Sequence, residues 1–335
     1  MSITVVGSLN YDLVTYTDRL PEAGETFRAN SFETHAGGKG LNQTVAIARL
    51  REPGSESVLR MVGNVGEDMF GQELVDLLVE NGVDCKEVKK VRGVSTGVAT
   101  ILVEERDGGQ NRILLSEGAN GKTVYGPDEL SRIFSGTSCE GEKHYVVFQH
   151  EIPDPCSVMS WLKVNRPEFQ IVFNPSPFKR LELEAWKKVD ILIVNEIEAL
   201  QIVEAVFPEQ EFESYRDMIA NDFIGSYRKL CLEFQRKVVS QTNSATVVIT
   251  LGSQGSLFCS KDHPQVGYAP SITGINVVDT TGAGDTFLGS LVSQLHTGAS
   301  LEDAIKFSTR ASSLTIQKKG AAESIPTFSE VMSLR

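Results

Sequence analysis

Toward its C-terminus the 335-residue chain reads Val277-Val278-Asp279-Thr280-Thr281-Gly282-Ala283-Gly284-Asp285-Thr286-Phe287. The apolar, β-branched run from Ile275 to Val278 predicts a buried strand. After Gly284, apolar side chains recur at helical spacing until Gly298, a typical helix stop. We therefore predict that a strand turns into a helix at the two glycines of this stretch. Such a turn can direct several backbone N–H groups at an anion.

Asp285 falls in the first turn of the predicted helix, beside that anion site. A carboxylate cannot bind a phosphate, so its position suits a base that deprotonates a hydroxyl attacking the phosphate. A tight turn followed by an acid that stabilises the helix dipole explains the same residues equally well. A dinucleotide-binding loop fits less well, because Phe287 stands where a third small residue is needed, and the chain contains no Walker loop.

Charge and composition limit the possible partners. The chain has 32 basic and 44 acidic residues, a net charge of −12, which argues against nucleic acid and anionic membranes as partners. A bound polyphosphate must then be held by local features such as helix N-termini, a metal ion and a few side chains. No apolar run is long enough to span a bilayer, and no secretory signal is visible. Five scattered cysteines without a Cys-x-x-Cys motif indicate reduced thiols and a cytoplasmic protein.

Two stretches near the N-terminus carry polar residues that suit a carbohydrate. The apolar run Ile3 to Gly7 predicts a buried strand, after which Asn10 and Asp12 point the same way in extended backbone. They suit recognition of vicinal hydroxyls, although an Asx-type turn explains them as well. Further on, the run His35-Ala36-Gly37-Gly38-Lys39-Gly40-Leu41-Asn42-Gln43 opens a predicted helix. This glycine-rich loop is compatible with a phosphate site or a sugar site.

The middle of the chain predicts two kinds of β-structure. Residues 96–104 and 111–116 read as strands joined by the hairpin signal Arg106-Asp107-Gly108-Gly109-Gln110, with no helix between them. They form either a small projecting sheet or an ordinary edge hairpin. By contrast, strands at 145–149, 190–194 and 246–250 follow a βαβ rhythm and end in polar residues, where parallel sheets bind ligands. Residues 205–243 predict polar surface helices.

Both glycine-rich stretches resemble the signatures of the ribokinase-type (PfkB) sugar kinases. The resemblance runs from Asn10 to Ser324. The combination of Gly7–Asp12, Gly37–Asn42 and Lys319–Ala322 is most similar to the ribose-phosphorylating members, the fungal ones in particular. It implies an α/β fold, a doubly wound αβα sandwich (ribokinase-like) with a small β-sheet lid. Residues 1–335 would form one kinase domain, with the lid built from parts of 11–35 and 95–117.

The resemblance also implies roles for individual residues. Asp285 would be the catalytic base, with stabilising N–H groups from Gly282, Ala283 and Gly284. The sugar would be held, together with Asp285, by Asn10, Asp12, Gly38, Lys39, Gly40, Asn42 and Glu151. The ATP site would comprise Asn195, Thr250, Gly252, Ser253, Gly255, Gly284 and Thr309. Glu198 would be associated with Mg²⁺, and K⁺ would be held near Asp279, Thr281, Thr315, Lys318, Gly320 and Ser324.

The implied reaction is ATP-dependent phosphorylation of D-ribose at O5 to give D-ribose 5-phosphate. ATP and D-ribose would be the ligands, with Mg²⁺ carried by ATP and K⁺ as an activating cation. The lid often forms a homodimer contact in this family. The cytoplasm is the expected location, with the nucleus as a second one. Two alternatives stay open: a related kinase for fructose, deoxyribose or adenosine, and a non-catalytic sugar or nucleotide sensor on the same fold.

Overall fold

The computed structural model describes residues 2–55, 57–106, 110–135 and 143–334. Its strands are, in chain order, β1 (Ser2–Val6), β2 (Asn10–Thr17), β3 (Ser31–Gly37), β4 (Val58–Gly66), β5 (Asp84–Val91), β6 (Gly97–Glu104), β7 (Gln110–Ser116), β8 (His144–Phe148), β9 (Phe169–Phe173), β10 (Ile191–Asn195), β11 (Thr246–Thr250), β12 (Ser256–Cys259) and β13 (Gly267–Ala269).

The helices are α1 (Lys39–Leu50), α2 (Met69–Glu80), α3 (Pro127–Ile133), α4 (Pro155–Asn165), α5 (Leu183–Trp186), α6 (Glu196–Val206), α7 (Glu209–Asn221), α8 (Phe223–Glu233), α9 (Ala283–His296), α10 (Leu301–Thr315) and α11 (Phe328–Ser333). No helix among these described residues combines the length and the apolar character needed to cross a bilayer.

The larger sheet has the strand order β13-β12-β11-β10-β9-β8-β1-β4-β5. Seven neighbouring strands of this sheet run parallel, namely β11, β10, β9, β8, β1, β4 and β5, and β12 and β13 form an antiparallel edge. The central strands are short apolar runs that are buried on both faces, as expected for a parallel layer covered by helices. The predicted βαβ rhythm is therefore confirmed.

Two hydrophobic cores lie on opposite faces of this sheet. One core contains side chains of α1, α2, α9 and α10, and the other contains side chains of α3, α4, α6 and α8. The fold is thus the predicted doubly wound αβα sandwich. From β1 the chain builds outward first through β4 and β5, and later through β8 to β11. The direction of winding therefore reverses between β1 and β8, and ligands bind at such a point in open α/β sheets.

A separate four-stranded sheet has the order β3-β2-β6-β7. Its strands come from residues 10–37 and 97–116, so the small projecting sheet that the sequence predicted is present. The tip of the predicted β6–β7 hairpin, residues 107–109, lies outside the described residues. β7 is exposed along its whole length, whereas β2 has buried residues at Asn10, Val14 and Thr17.

One predicted element is wrong. Ile275 to Val278 forms no strand, and the side chains of Val277 and Val278 are 54% and 47% exposed. The segment lies on the surface, where the N–H groups of Val278 and Asp279 both donate to the carbonyl of Ile316, at 2.8 and 3.2 Å. A four-residue β-branched run favours extended backbone but does not supply a neighbouring strand to pair with.

The segment 205–243 is helical, as predicted, but it is more than a surface addition. α7, α8 and the π-helical turn Phe234–Val238 bury five large side chains in the core on their side of the sheet. These are Tyr215, Tyr227, Leu230, Phe234 and Val238. The polar residues of this segment lie on its outer face, and the apolar residues at helical spacing form its inner face.

Candidate active site

α9 begins at the glycines of the C-terminal stretch. Gly282 is its N-cap residue and has a φ of 75°, a left-handed conformation that favours glycine. The N–H of Ala283 donates to Thr280 O at 3.3 Å, whereas those of Gly282, Gly284 and Asp285 meet no acceptor among the described residues. A Cβ placed on Gly284 would have no described atom within 4 Å. The helix therefore presents free N–H donors to open space.

The carboxylate of Asp285 is buried beside this open helix terminus. Its Oδ2 accepts a hydrogen bond from Asn42 Nδ2 at 3.1 Å, and its Oδ1 accepts one from Gln43 Nε2 at 2.9 Å. α1 and α9 approach so closely that a Cβ on Gly289 would lie 2.4 Å from the Cβ of Ala46. This packing brings the two glycine-rich stretches together, although they are far apart in the chain.

The loop before α1 lies directly on the carboxyl end of β1. Gly38 has a φ of 88°, and a Cβ there would lie 2.7 Å from the backbone nitrogen of Asn10. A Cβ on Gly40 would lie 2.5 Å from the backbone nitrogen of Ser8. Neither position can accept a side chain without moving backbone, so this loop needs glycine for close packing as well as for any ligand.

Glu151 joins this loop to β8 at the point where the sheet's winding reverses. Its Oε2 accepts hydrogen bonds from Ser8 Oγ and, at 2.9 Å, from the Lys39 N–H. Burial alone would lower the pKa of Lys39, but the negative charges of Asp285, Glu151 and Glu198 outweigh it and raise that pKa. The Lys39 ammonium therefore stays charged in an acidic site.

Asp12 and Asn10 enter the site from β2. Burial, and secondly the charge of Glu151, raise the pKa of Asp12 to about 7. A Cβ on Gly37 would lie 2.3 Å from Asp12 Oδ2, so glycine makes room for this carboxylate. Asn10 Oδ1 accepts a hydrogen bond from Asn120 Nδ2 at 2.7 Å. The structure thus brings the predicted sugar-site residues together at one end of the main sheet.

The predicted nucleotide residues follow β10 and β11. Asn195 and Thr250 are paired in register at the ends of these strands. Gly252 and Ser253 form a 3₁₀ turn, and at Gly255 a Cβ would lie 2.1 Å from Ala269 O. Thr309 lies on α10 and donates to Ile305 O of its own helix at 2.9 Å. No hydrogen bond in the described structure joins the Thr309 side chain to the other predicted nucleotide residues.

Asn195 and Glu198 form a reciprocal cap at the start of α6. Asn195 Oδ1 accepts from the Glu198 N–H at 2.7 Å, and Glu198 Oε2 accepts from the Asn195 N–H at 3.1 Å. This pair of hydrogen bonds stabilises the start of the helix. Glu198 Oε1 accepts no hydrogen bond from any residue that the structure describes, so one carboxylate oxygen remains available to a ligand.

The predicted cation residues lie on two loops that touch. Asp279 Oδ1 accepts from the N–H and Oγ1 of Thr281 at 2.9 and 2.7 Å, and Asp279 Oδ2 accepts from the Gly320 N–H at 3.1 Å. Burial would raise the pKa of Asp279, but these hydrogen bonds lower it. Ser324 Oγ is buried and donates to Ala321 O at 2.8 Å.

Two other residues of this set point elsewhere. The hydroxyl of Thr315 donates to that of Thr286 at 3.0 Å inside the helix pair, and Lys318 Nζ lies 3.3 Å from Glu330 Oε1 on the surface. Only their backbone carbonyls could face a cation. Across the described ranges no three acidic, histidine or cysteine side chains cluster as a metal site.

Sequence reasoning missed several polar residues that complete the site. Ser8, Gln149 and Asn174 follow the ends of β1, β8 and β9, a position that itself predicts ligand-side residues. Gln43 lies beside the predicted Asn42 and contacts Asp285. Asn120 donates to Leu9 O at 3.0 Å from a 3₁₀ turn after β7, and no sequence signal marks it.

A buried carboxylate beside an open helix N-terminus, at the winding reversal of a doubly wound sheet, is the arrangement of a small-molecule kinase. The sequence model described as pfkB family carbohydrate kinase matches residues 1–328. The chain therefore belongs to the pfkB family of carbohydrate kinases, and the resemblance to that family is confirmed.

Individual relatives cover nearly the whole chain. Ribokinase of Schizosaccharomyces pombe is 36% identical over 99% of this chain and 96% of its own length. Ribokinase of Lactococcus lactis is 33% identical over 98% of this chain and 95% of its own. Among solved structures, Arabidopsis thaliana ribokinase complexed with ribose and ATP has a TM-score of 0.78 and 28% identity, covering 99% of this chain and 97% of that chain.

Proposed function

We propose that the protein is an ATP-dependent kinase that phosphorylates D-ribose at O5, giving D-ribose 5-phosphate and ADP. Full-length similarity to ribokinases of a fungus, a bacterium and a plant supports this assignment. The observation that carries it is the buried Asp285 carboxylate, held by two amides next to the open space in front of Gly284.

The sugar is bound by polar groups that converge on Asp285. Asn10, Asp12, Asn42 and Glu151 offer acceptors and donors, Lys39 offers a charge, and Gly38 and Gly40 let backbone approach the ring. Asn42 Oδ1 is buried and has no hydrogen-bond partner in the described part of the chain. A buried acceptor without a partner costs free energy, and a sugar hydroxyl is the donor that would satisfy it.

Phosphoryl transfer then follows from the positions of Asp285 and the helix terminus. The O5 hydroxyl gives its proton to Asp285 while its oxygen forms a bond to the γ-phosphorus of ATP. The bond from that phosphorus to the bridging oxygen breaks, and ADP leaves. Backbone N–H groups of Gly282, Gly284 and Asp285 stabilise the charge on the γ-phosphoryl oxygens. Ala283 contributes less, because its N–H already donates to Thr280 O.

ATP is bound along the ends of β10 and β11. Asn195, Thr250, Gly252, Ser253 and Gly255 line this side, and Thr309 on α10 would complete the site. Mg²⁺ would neutralise phosphate charge when bound. Magnesium in kinases keeps several waters and takes one or two carboxylates plus phosphate oxygens, so the free Oε1 of Glu198 fits it without a protein cage.

K⁺ would be held between the two loops that meet at Asp279. A hard monovalent cation takes carboxylate, carbonyl and hydroxyl oxygens as ligands. Such oxygens are offered by Asp279, Thr281, Thr315, Lys318, Gly320 and Ser324. Activity should rise with K⁺ and much less with Na⁺ at equal ionic strength. Asp279→Ala should remove that difference, and equal activity in both salts would reject this cation site while leaving the kinase assignment intact.

The second sheet acts as a lid over the sugar and as the contact of a homodimer. Its β2 strand carries Asn10 and Asp12 into the site, which supports movement of the sheet with sugar binding. A cytoplasmic location, with the nucleus second, suits the free thiols of Cys85, Cys156, Cys231 and Cys259. Microscopy of a fluorescent fusion tests the location.

A second candidate substrate is deoxyribose. Deoxyribokinase of Salmonella typhi is 29% identical over the whole chain, close to the identity of several ribokinase relatives. Initial rates with ribose, deoxyribose, fructose and adenosine, under saturating magnesium-ATP, distinguish these substrates. A deoxyribose rate above the ribose rate would replace the ribose assignment.

Asp285→Asn tests the mechanism directly. We expect kcat to fall by about 10²–10⁴-fold, the usual contribution of a general base, with mass-spectrometric detection of ribose 5-phosphate as the measurement. Glu302→Gln is the matched control, since Glu302 is an exposed acid in the first turn of α10, away from the site. A variant within tenfold of the wild type would show that Asp285 is not the base.

A further inference from the structure

Gln43 is a wholly buried amide on α1, one residue beyond the sugar-site residue Asn42. A primary amide in such a place costs free energy unless each donor and acceptor is satisfied. A methionine of similar size would fill the same space without that cost. The polar side chain therefore needs a reason beyond packing, and its only charged hydrogen-bond partner among the described residues is Asp285.

Every hydrogen-bonding group of Gln43 is engaged. Its amide nitrogen donates to Asp285 Oδ1 at 2.9 Å and to Asn174 Oδ1 at 3.3 Å. Its Oε1 accepts from Gln149 Nε2 at 2.7 Å. Because Gln43 is wholly buried among these partners, it is not placed to bind a substrate.

The chemistry of the neighbours fixes which way the Gln43 amide faces. A carboxylate can only accept, so the amide nitrogen must face Asp285. Asn174 Nδ2 donates to the carbonyl of Ile193 at 3.0 Å, and this carbonyl can also only accept. Asn174 must therefore turn its oxygen toward Gln43. Two independent acceptors thus set the same orientation.

We propose that Gln43 is a positioning residue that ties Asp285 Oδ1, through Gln149 and Asn174, to the carboxyl ends of β8 and β9. The inference rests on the proposed role of Asp285 as the base. Each carboxylate oxygen of Asp285 then has one fixed amide partner, Gln43 for Oδ1 and Asn42 for Oδ2. The carboxylate cannot rotate freely, and its remaining lone pairs face the O5 hydroxyl in a constant direction.

Gln43→Met removes the tie while keeping the side-chain volume. We expect kcat to fall by about 10–100-fold, because a small misplacement of a catalytic group costs rate of this order. The KM values for ribose and ATP should stay within about threefold, because Gln43 contacts neither ligand. A merely structural role would lower the Tm and leave kcat unchanged.

Ser308→Ala is the control for loss of a buried hydrogen bond. Ser308 is buried on α10, donates to Ala304 O at 2.7 Å and makes no hydrogen bond with Asp285 in the described structure. This variant should lower the Tm and keep the wild-type kcat. If Gln43→Met behaves in the same way, the positioning role is wrong.

A double-mutant cycle shows whether the effect passes through Asp285. In an Asp285→Ala background, Gln43→Met should change the residual kcat by less than about twofold, because there is no carboxylate left to position. An equal loss in both backgrounds would overturn the proposal. If Asp285→Ala itself stays active, the base assignment has failed. If it is inactive while Gln43→Met is fully active, only the positioning role has failed.

Gln149→Met provides a second variant should Gln43→Met not fold. It removes the donor to Gln43 Oε1 and leaves the contact with Asp285 in place. We expect a smaller loss of kcat, about threefold to tenfold, with KM unchanged. An unchanged kcat in this variant would also overturn the proposal.

Discussion

Gly284 and Gly289 are both glycines of α9, and they are glycine for different reasons. A Cβ on Gly284 meets no described atom, so the fold does not require glycine there. Alanine in a helix is favoured over glycine by about 0.5–1 kcal/mol. We therefore expect Gly284→Ala to keep or raise the Tm. The same variant should lower kcat/KM for ATP by tenfold or more, because the methyl group fills the space of the γ-phosphoryl group. A loss of this size is expected when an anion site is disturbed.

Gly289→Ala is the matched variant in the same helix. Its Cβ would lie 2.4 Å from the Cβ of Ala46, so it should destabilise the protein by about 1–3 kcal/mol, as overpacking does. Thermal unfolding and steady-state kinetics of both variants are the measurements. A Gly284→Ala enzyme with the wild-type KM for ATP would contradict the anion site at this turn.

Asp12 predicts a pH dependence of stability. Its pKa is raised to about 7 by burial and, less strongly, by the charge of Glu151. Between the ordinary carboxyl pKa of 3.8 and the raised pKa of about 7, the folded protein holds a proton that the unfolded chain releases. Stability from this group therefore falls as the pH rises through that window. Asp12→Asn does not titrate, so its Tm relative to the wild type should increase from about pH 5 to about pH 8.

The measurement is thermal unfolding without sugar, since a bound hydroxyl would favour the ionised carboxylate. His35, Glu323 and Asp285 also act on Asp12, so their charges shift the position of the window but not its direction. Asp76→Asn, an exposed acid on α2, is the control and should show a constant difference. A constant difference for Asp12→Asn would contradict this prediction.

Individual site residues could be predicted where they follow a strand or open a helix. Asp285, Asn42 and Glu151 have such positions, and the structure places them together. Gln43 and Asn174 could not be assigned, because their roles depend on which side chains meet across the sheet. Gln43 meets Asp285 only because α1 packs against α9, and it meets Asn174 only because α1 lies over the end of β9.

At the level of elements, the second sheet is the part most suited to move. Its β6 strand pairs with β2 on one side and with β7 on the other, and every residue of β7 is exposed. We expect ribose to slow hydrogen exchange at the backbone amides of residues 97–104 and 110–116. Amides of β10, in the centre of the main sheet, are the internal control. Exchange that ribose leaves unchanged in β6 and β7 would remove the lid role.

Helices and strands could be predicted where apolar residues recur at a regular spacing and a neighbouring element packs against them or pairs with them. The parallel strands and the helices α1, α2, α9 and α10 follow their periodicity closely. Ile275 to Val278 has the composition of a strand but no strand beside it, since β13 ends the sheet. β12 and β13 are short, and their pairing depends on the turn at Gly255, which no alternation of residues reveals.

At the level of the whole molecule, β7 is an exposed edge with large apolar side chains. Ile113, Leu114 and Leu115 are exposed, and an edge of this kind is suited to pair with another chain. A homodimer through this edge should dissociate in Leu114→Lys, which sedimentation velocity would detect. Val164→Lys is the control, because Val164 on α4 is 80% exposed and isolated from this sheet. A Leu114→Lys protein that sediments like the wild type would place the contact elsewhere.

The contact of α1 with α9 at Gly289 has a consequence for engineering. Because the two helices touch there, the sugar loop that precedes α1 and the base on α9 are held in a fixed relative position. A chimaera that takes only the Gly37–Asn42 loop from a relative with another sugar preference would bring a first turn of α1 that is adapted to a different α9. Residues 37–50 and 282–296 should therefore be exchanged together, as one unit.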